Sequence, residues 1–144
     1  MNSELLNQVW YMALLSEELQ GKDLHTQEVC GEPVIFFRDE TGQVKALRNI
    51  CPHRGIPLSY GRLVNHEVEC PYHGWKFNGG GVCTEIPSLT KTQNLDCRKI
   101  KVKNYLTHEQ YGQIWIFIGD PNGNFKTPPK IPAMSFLSDR KSVV

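Results

Sequence analysis

The chain has 144 residues, with 16 Lys and Arg against 15 Asp and Glu and 40% hydrophobic residues, a composition typical of one globular domain. A net charge of +1 lacks the broad positive field that binding to nucleic acid or an anionic membrane usually requires. No apolar run approaches the roughly 18 residues of a spanning helix, and Met1–Gln8 contains Glu4 and no positive charge. We therefore expect a cytoplasmic protein that is neither exported nor membrane-bound.

Glycine, proline and cysteine set the broad expectations for fold and chemistry. The 12 Gly and 9 Pro are spread along the chain and divide it into short segments, which favours an all-β fold. The 5 Cys are an odd number with no export signal before them, so metal or redox chemistry is favoured over a disulfide framework.

The first predicted elements are one helical turn and one hairpin. Ser16 is expected to cap a helical turn that runs to Leu19, because its hydroxyl can accept a hydrogen bond from an otherwise unpaired N–H. The β-rich runs Pro33–Arg38 and Val44–Asn49 flank the segment 39–42, whose Asp and Gly favour a tight turn. These two runs are therefore predicted to pair as antiparallel strands.

Further short strands are predicted in the middle of the chain. Arg62–Val64 and Glu67–Glu69 can pair across Asn65 and His66, and Trp75–Phe77 leads into the glycine-rich corner Asn78–Gly81. This part of the sequence thus predicts a small antiparallel sheet.

Two more strands and a change of composition follow. Arg98–Asn104 alternates basic and apolar residues with a period of two, which predicts a strand with one basic face, and Gln113–Ile118 is predicted to be a buried strand. The composition then becomes rich in Pro, so we divide the chain into a domain at 1–120 and an exit segment or tail at 121–144. The basic face offers either a docking patch for an acidic donor protein or a solvated surface. It is formed by Lys99, Lys101 and Lys103.

Two short segments each combine one Cys with one His. They read Cys51-x-His53 and, after a gap of sixteen residues, Cys70-x-x-His73. Two thiolates on one iron and two neutral imidazoles on the other can hold a [2Fe–2S] cluster, and the neutral ligands raise its potential to roughly −150 to +300 mV. The same four donors also suit a tetrahedral zinc site.

The residues around these donors resemble a known family. The segments CPHRG at 51–55 and CPYHGWKF at 70–77 resemble the two cluster-binding loops of Rieske proteins. The positions of Arg54, Gly74 and Trp75 are similar to those in the N-terminal Rieske domain of ring-hydroxylating oxygenase α-subunits. The resemblance extends through NQVWYMALLSEEL at 7–19, HRGIPLSYGRL at 53–63 and WKFNGGGVCTEIPS at 75–88.

The resemblance implies a fold of small stacked antiparallel sheets with the cluster between two hairpin loops at one tip. It also implies that Cys51 and Cys70 bind one iron, and that His53 and His73 bind the other. Glycines and prolines beside these ligands permit tight loops whose N–H groups can point at the sulfurs. Five further residues are expected around the cluster, namely Arg54, Gly55, Tyr72, Gly74 and Trp75.

Several of these neighbours have two open interpretations. Arg54 could favour the reduced cluster or pair with a partner's carboxylate, or it could form a rim salt bridge without a redox role. Trp75 could lie between the cluster and solvent, or serve only in packing. Rieske proteins of cytochrome bc complexes have an additional disulfide-forming Cys in each loop, whereas this chain has Ile56 and Tyr72 there. A respiratory-chain role is therefore disfavoured.

The resemblance also indicates what this chain lacks. In such oxygenases a larger catalytic domain follows, with a mononuclear iron bound by two His and one carboxylate. The remaining His25, His66 and His108 are far apart in sequence and have no matching carboxylate, so the chain alone is expected to carry electrons without hydroxylating a substrate. These His are expected at the surface. Plain buried or half-buried thiols are expected for Cys30, Cys83 and Cys97.

The leading functional hypothesis is one-electron transfer within an oxygenase system. A reductase or ferredoxin would be the donor, and an oxygenase catalytic domain, in trans where it belongs to another chain, would be the acceptor. The first alternative is a non-catalytic assembly or regulatory subunit of an oxygenase oligomer, and the second is a structural zinc domain.

Overall fold

The chain forms three antiparallel sheets of short strands. The computed structural model describes residues 9–53, 55–71, 74–87 and 96–118. Within these ranges there are three short 3₁₀ turns and no α-helix, which confirms the all-β prediction. The strands are β1 (Val9–Leu15), β2 (His25–Val29), β3 (Glu32–Arg38), β4 (Val44–Arg48), β5 (Arg62–Val64), β6 (Glu67–Glu69), β7 (Lys76–Phe77), β8 (Cys83–Glu85), β9 (Asn104–Tyr105), β10 (Thr107–Gln110) and β11 (Gln113–Ile118).

The three sheets differ in whether adjacent strands are also consecutive in the sequence. The first sheet has the order β1-β11-β10, the second β2-β3-β4-β9 and the third β5-β6-β7-β8. The third sheet is a simple meander, whereas the first joins the start of the chain to its later strands. No helix in the described ranges is long and apolar enough to cross a membrane.

Strand β3 is buried on both faces and lies between two cores. Val34, Ile35, Phe36 and Phe37 are all fully buried. Because successive side chains of a strand point to opposite faces, Val34 and Phe36 join one core with residues of the first sheet such as Ile116. Ile35 and Phe37 instead join a second core with residues of the third sheet. The middle sheet thus supports both outer sheets.

The predicted β3–β4 hairpin is confirmed. The two strands pair in register, with Arg38 opposite Val44. The Asp39 carboxylate accepts hydrogen bonds from the N–H groups of Thr41 at 2.9 Å and Gln43 at 3.1 Å, which closes the turn. A local side-chain acceptor of this kind is the reason that Asp favours turns.

The predicted elements of the third sheet are also confirmed. Strands β5 and β6 pair across Asn65 and His66, whose φ angles of 50° and 64° suit a two-residue hairpin turn. In the next corner, the Asn78 side chain accepts hydrogen bonds from the N–H groups of Gly80 at 3.0 Å and Val82 at 3.1 Å. Local turn chemistry therefore determines this sheet.

The predicted Ser16 cap is wrong. Ser16–Glu18 forms a 3₁₀ turn, but Leu15 precedes it and no side chain caps the turn. The Glu18 carboxylate accepts a hydrogen bond from the N–H of Leu15 at 3.0 Å instead. The helical turn thus begins directly at the end of β1, and the Ser hydroxyl has no capping role.

The predicted strand Arg98–Asn104 is wrong over most of its length. Cys97–Lys99 forms a 3₁₀ turn, in which the Asp96 side chain accepts a hydrogen bond from the N–H of Arg98 at 3.1 Å. Regular pairing begins only at β9. Side-chain burial still alternates, since Val102 is buried between exposed neighbours. The period-two pattern of the sequence therefore predicted the alternating burial correctly, but not a continuous strand.

An ion pair joins the first and second sheets. Arg38 donates hydrogen bonds to both carboxylate oxygens of Glu109, each at 2.9 Å, and its Nε donates to the Leu19 carbonyl at 2.7 Å. This bidentate geometry is the strong form of the interaction. The Arg38 guanidinium lowers the pKa of Glu109 from its usual 4.5.

Substituting Glu109→Gln is expected to reduce the free energy of unfolding by up to about 1 kcal/mol near neutral pH, because the pair is partly exposed. Since the pKa of Glu109 is lowered on folding, its contribution is present above the usual 4.5 and is lost as the pH falls through the lowered value. Urea unfolding of both proteins across this range checks the prediction. Glu40→Gln, on an exposed turn, is the control. A difference in the free energy of unfolding between Glu109→Gln and wild type that stays constant down to low pH would contradict the prediction.

Candidate metal centre

Two loops of the same design contain the predicted ligands. We call residues 51–56 the first Cys-Pro loop and residues 70–75 the second Cys-Pro loop. In the first, the N–H of Cys51 donates to the Ile56 carbonyl at 2.7 Å, and in the second the N–H of Cys70 donates to the Trp75 carbonyl at 2.7 Å. Each loop is therefore closed by its own Cys over the same five-residue separation.

A glycine in the left-handed region makes each turn possible. Gly55 and Gly74 each follow the Cys of their loop by four residues, with φ angles of 72° and 69°. Glycine adopts this conformation without the strain that a Cβ would add. The N–H of Gly55 donates to the Cys51 carbonyl at 2.8 Å. The Cys51, Gly55 and Cys70 N–H groups thus serve loop closure, and the expectation that loop amides point at sulfur is not met by these three.

Asn49 anchors the first Cys-Pro loop both to the segment that follows it and to β3. Its carboxamide oxygen accepts a hydrogen bond from the N–H of Ser59 at 2.8 Å, and its amide nitrogen donates to the Ser59 hydroxyl at 3.0 Å. Its backbone N–H donates to the Pro33 carbonyl of β3 at 2.9 Å. These anchors were not predicted from the sequence, although an Asn two residues before a Cys-Pro loop can bond to nearby backbone groups in this way.

The two thiols lie inside the second core. Cys51 and Cys70 are each 1% exposed and pack in the same apolar cluster, which includes Leu58, Val68 and Phe77. No buried residue in the described ranges carries a charged side chain. A thiolate in such surroundings is costly unless a bound cation compensates its charge. The position therefore suits a metal centre, with thiolate ligands that contact the apolar core.

An aromatic stack joins the two Cys-Pro loops. The imidazole of His53 stacks on the indole of Trp75, with 4.3 Å between ring centroids and 15° between ring planes. The Nδ1 atom of His53 is shielded from solvent, so this nitrogen faces the interior. Trp75 therefore packs on a predicted ligand of the other loop, in addition to closing its own loop.

The structure places six of the nine predicted site residues. It places Cys51 and Cys70 in one core and stacks His53 on Trp75, which packs against that core, while Gly55 and Gly74 complete the loop turns. The remaining three lie outside the described residues, and they are Arg54, Tyr72 and His73.

The described donors do not form a mononuclear site. In the described ranges, no three side chains of His, Cys, Asp or Glu surround one point as a single metal ion would require. Three of the four predicted ligands lie within those ranges. The fourth, His73, lies outside them, and a two-iron cluster takes only two protein ligands on each iron.

The other histidines lie apart from this site. His66 and His108 are exposed, and His25 is half-buried with its ring edge-on to Phe36 at a centroid distance of 6.5 Å. The predicted surface location is thus correct for His66 and His108, whereas His25 is only partly exposed.

The remaining cysteines differ in exposure. Cys30 is exposed, so the expectation of a buried or half-buried thiol is wrong there, because the residue lies in the β2–β3 turn with a φ of 51°. Cys83 is buried and Cys97 is half-buried, as predicted. Burial raises the pKa of the Cys83 thiol to about 12, and the neighbouring Cys97 adds to the effect.

The predicted basic face is not a continuous surface of free charges. Lys99 lies in the 3₁₀ turn, whereas Lys101 and Lys103 flank Val102 in an extended segment. The ammonium of Lys103 lies 3.0 Å from the Glu32 carboxylate, so its charge is partly neutralised. This arrangement favours the solvated-surface interpretation.

Comparisons with known proteins agree with this site. The family described as Rieske [2Fe-2S] domain matches residues 9–105. The chloroplast protein chlorophyllide a oxygenase of Chlamydomonas reinhardtii is 44% identical over 117 residues, which cover 81% of this chain and 17% of that protein. Among solved structures, dicamba monooxygenase bound to 3,6-dichlorosalicylic acid aligns with a TM-score of 0.78 and 36% identity, covering 93% of this chain and 38% of that one.

A second solved structure contains an electron-transfer protein as well. The complex of carbazole 1,9a-dioxygenase oxygenase with ferredoxin aligns with a TM-score of 0.76 and 26% identity, over 93% of this chain and 34% of the oxygenase chain. Our chain thus spans well under half the length of each of these relatives.

Gly61 allows the backbone after the first Cys-Pro loop to approach the second. A Cβ at this position would collide with the Glu69 carbonyl oxygen and would lie 3.1 Å from the Pro71 ring. Gly61→Ala is therefore expected to displace one loop from the other and to reduce the free energy of unfolding by about 1–3 kcal/mol. Urea unfolding and the iron content of the purified protein measure both effects.

The matched control for this substitution is Gly80→Ala. A Cβ at Gly80 would meet nothing closer than the Asn78 side-chain oxygen at 3.5 Å. The control is expected to keep its iron and most of its stability. Equal stability and iron content in the two variants would contradict the proposed close approach.

Removal of the Trp75 ring is expected to expose His53. Trp75→Ala keeps the backbone closure of its loop but loses an aromatic pair of about 0.5–1.5 kcal/mol, which corresponds to a roughly two- to tenfold faster loss of the cluster. Trp75→Phe retains a ring and should lie near wild type. The decay of visible absorption in excess chelator gives the rates, and identical rates for wild type and Trp75→Ala would disprove a positioning role.

Proposed function

Because the chain belongs to the Rieske [2Fe-2S] domain family, we propose that it is the electron-input domain or component of an oxygenase system. Family membership confirms the predicted cofactor, a cluster bound by two Cys and two His, and an oxidoreductase role in electron transfer. The observation that carries the proposal is the pair of Cys-Pro loops, which bring two buried thiols and a stacked imidazole together.

We assign Cys51 and Cys70 to one iron, and His53 and His73 to the other. The burial of both thiols in one apolar cluster supports the first pair. The interior-facing Nδ1 of His53 supports its place in the second pair, and His73 is assigned from its position in the CPYHGW segment. When bound, a cluster of this type accepts and releases one electron at roughly −150 to +300 mV.

The residues of the chain give this site its electron-transfer properties. The apolar core around Cys51 and Cys70 excludes water from the sulfurs. The hydrogen-bonded Cys-Pro loops hold the ligands in a preformed arrangement. His53 is half-buried beneath Trp75, so this imidazole edge offers a short path to a docked partner.

A reductase or ferredoxin is proposed as the donor, and an oxygenase catalytic domain as the acceptor, in trans where it belongs to another chain. The ferredoxin complex of carbazole 1,9a-dioxygenase oxygenase supports a donor of this class. Within the two Cys-Pro loops, the exposed residues of the described ranges are Pro52, Gly55 and Pro71.

We also propose where the cluster domain begins and ends, and that this chain does not itself hydroxylate a substrate. We keep 1–120 as the cluster domain and 121–144 as an exit segment or tail; the segment from 119 onward lies outside the described residues. His25, His66 and His108 lie in different elements, so this chain is proposed to carry electrons, in the cytoplasm, without hydroxylating a substrate itself.

Electron transfer through the chain can be tested with a plant-type ferredoxin that its reductase keeps reduced. Such ferredoxins have potentials near −400 mV, so transfer to the chain is downhill. We expect the visible absorption of the oxidised chain to bleach on mixing and to return when oxygen is admitted. A chain with an intact cluster that exchanges no electron with the ferredoxin would favour the assembly-subunit alternative.

The ligand variants complete the test. Cys51→Ser and Cys70→Ser are expected to lose the visible absorption, the acid-labile sulfide and the paramagnetic signal after dithionite. The exposed Cys30 is the matched control, and Cys30→Ser should behave as wild type in all three measurements. An unchanged spectrum in either ligand variant would overturn the assignment.

A further inference from the structure

Two cysteines that the cluster does not require lie next to each other in the second core. Cys83 belongs to β8 and Cys97 begins the neighbouring 3₁₀ turn. The Sγ of Cys97 lies 3.6 Å from the carbonyl oxygen of Cys83, and the two thiols are hydrogen-bond neighbours. The N–H of Cys83 also donates to the Ile100 carbonyl at 2.9 Å, which holds the strand against the turn.

The two thiols differ in access to solvent. Cys83 is 0% exposed, whereas Cys97 is half-buried and packs at the edge of the same core. A small solvent-borne oxidant can therefore reach Cys97 first, and Cys83 is the nearest group that can react with the product. Cys30, in the β2–β3 turn, is exposed and belongs to neither core.

We propose that Cys83 and Cys97 form a reversible redox pair that closes to a disulfide when the protein meets a peroxide. The inference stands independently of the proposed electron-input role. The pair is distinct from the cluster ligands, and its closure would join β8 covalently to the 3₁₀ turn beneath the Cys-Pro loops.

The chemistry balances in two steps. Peroxide transfers one oxygen to the Cys97 sulfur, which gives a sulfenic acid and one water molecule. The Cys83 sulfur then attacks the Cys97 sulfur, so that the S–S bond forms as the S–O bond breaks, and the Cys83 proton leaves with the hydroxyl as a second water. Two thiols are thus oxidised by two electrons in total, and one peroxide is reduced. A dithiol reductant reverses the closure.

The covalent loop would contain the segment between β8 and the 3₁₀ turn. Cross-linking these positions reduces the freedom of the unfolded chain, so the oxidised protein is expected to unfold at a higher urea concentration than the reduced one. Cys51 belongs to the same core as Cys83, and the disulfide would therefore stiffen the surroundings of one ligand without using its sulfur.

Peptide mapping tests the proposal directly, because trypsin places each of the five Cys on a different peptide. The cluster-loaded chain is treated anaerobically with equimolar hydrogen peroxide while its visible absorption is recorded. Remaining thiols are then alkylated with iodoacetamide during denaturation. We expect a species that joins peptides 77–91 and 92–98 and lacks two hydrogens, with a several-fold increase over untreated protein. Dithiothreitol should remove it.

Two further measurements separate a thiol pair from general oxidation. Dimedone present during the peroxide treatment should trap the sulfenic acid on peptide 92–98 and suppress the linked species. Cys97→Ser, at a half-buried position, should abolish the linked species, whereas Cys30→Ser should leave it unchanged.

Three outcomes would overturn the proposal. The first is complete alkylation of Cys97 after peroxide, and the second is a linkage of Cys97 to Cys30 or Cys51 instead of Cys83. The third is formation of the linked peptide only after the visible absorption has disappeared, since the bond would then arise from a collapsed site. The visible absorption also shows whether the cluster is intact when the disulfide forms. Failure of the disulfide proposal can therefore be distinguished from failure of the electron-transfer test, which depends on the cluster alone.

Discussion

The burial of two thiols in the apolar core between the second and third sheets is the constraint on which the rest of the structure depends. Cys51 and Cys70 pack with the same side chains that hold the sheets together. Their thiolate charge is tolerable there only beside a bound cation. The proposed metal centre and the core therefore form one unit, and the inward side chains Ile35 and Phe37 of β3 support both.

The two Cys-Pro loops meet this constraint with the same backbone solution. Each Cys N–H closes its own loop, and a left-handed glycine completes the turn. The stack of Trp75 on His53 joins the two loops, and the close approach of Gly61 to Glu69 holds together the segments next to them. A site built in this way holds its ligands in place before a partner docks, which suits a protein whose task is to pass an electron without rearrangement.

The predictable parts of the fold were those with local chemical signals. The hairpin turns at Asp39 and Asn78 use side-chain acceptors within four residues, and a reader of the sequence can recognise them. The strand predicted for Arg98–Asn104 was wrong because side chains can alternate in burial without continuous strand pairing, and because Asp96 stabilises a turn at the start of the segment. The edge strand β2 was not predicted, since it alternates only weakly and depends on β3 for its partner.

The sequence by itself indicated the family and predicted the ligand set, because Cys, Pro, His and Gly at fixed short spacings suit the chemistry of one site. It also contained the shared Cys-Pro-x-x-Gly pattern of both loops. Only the tertiary structure decided that Trp75 covers His53 and that Cys83 adjoins Cys97. These contacts join residues far apart along the chain, and no local pattern encodes them, because they result from the way the sheets pack.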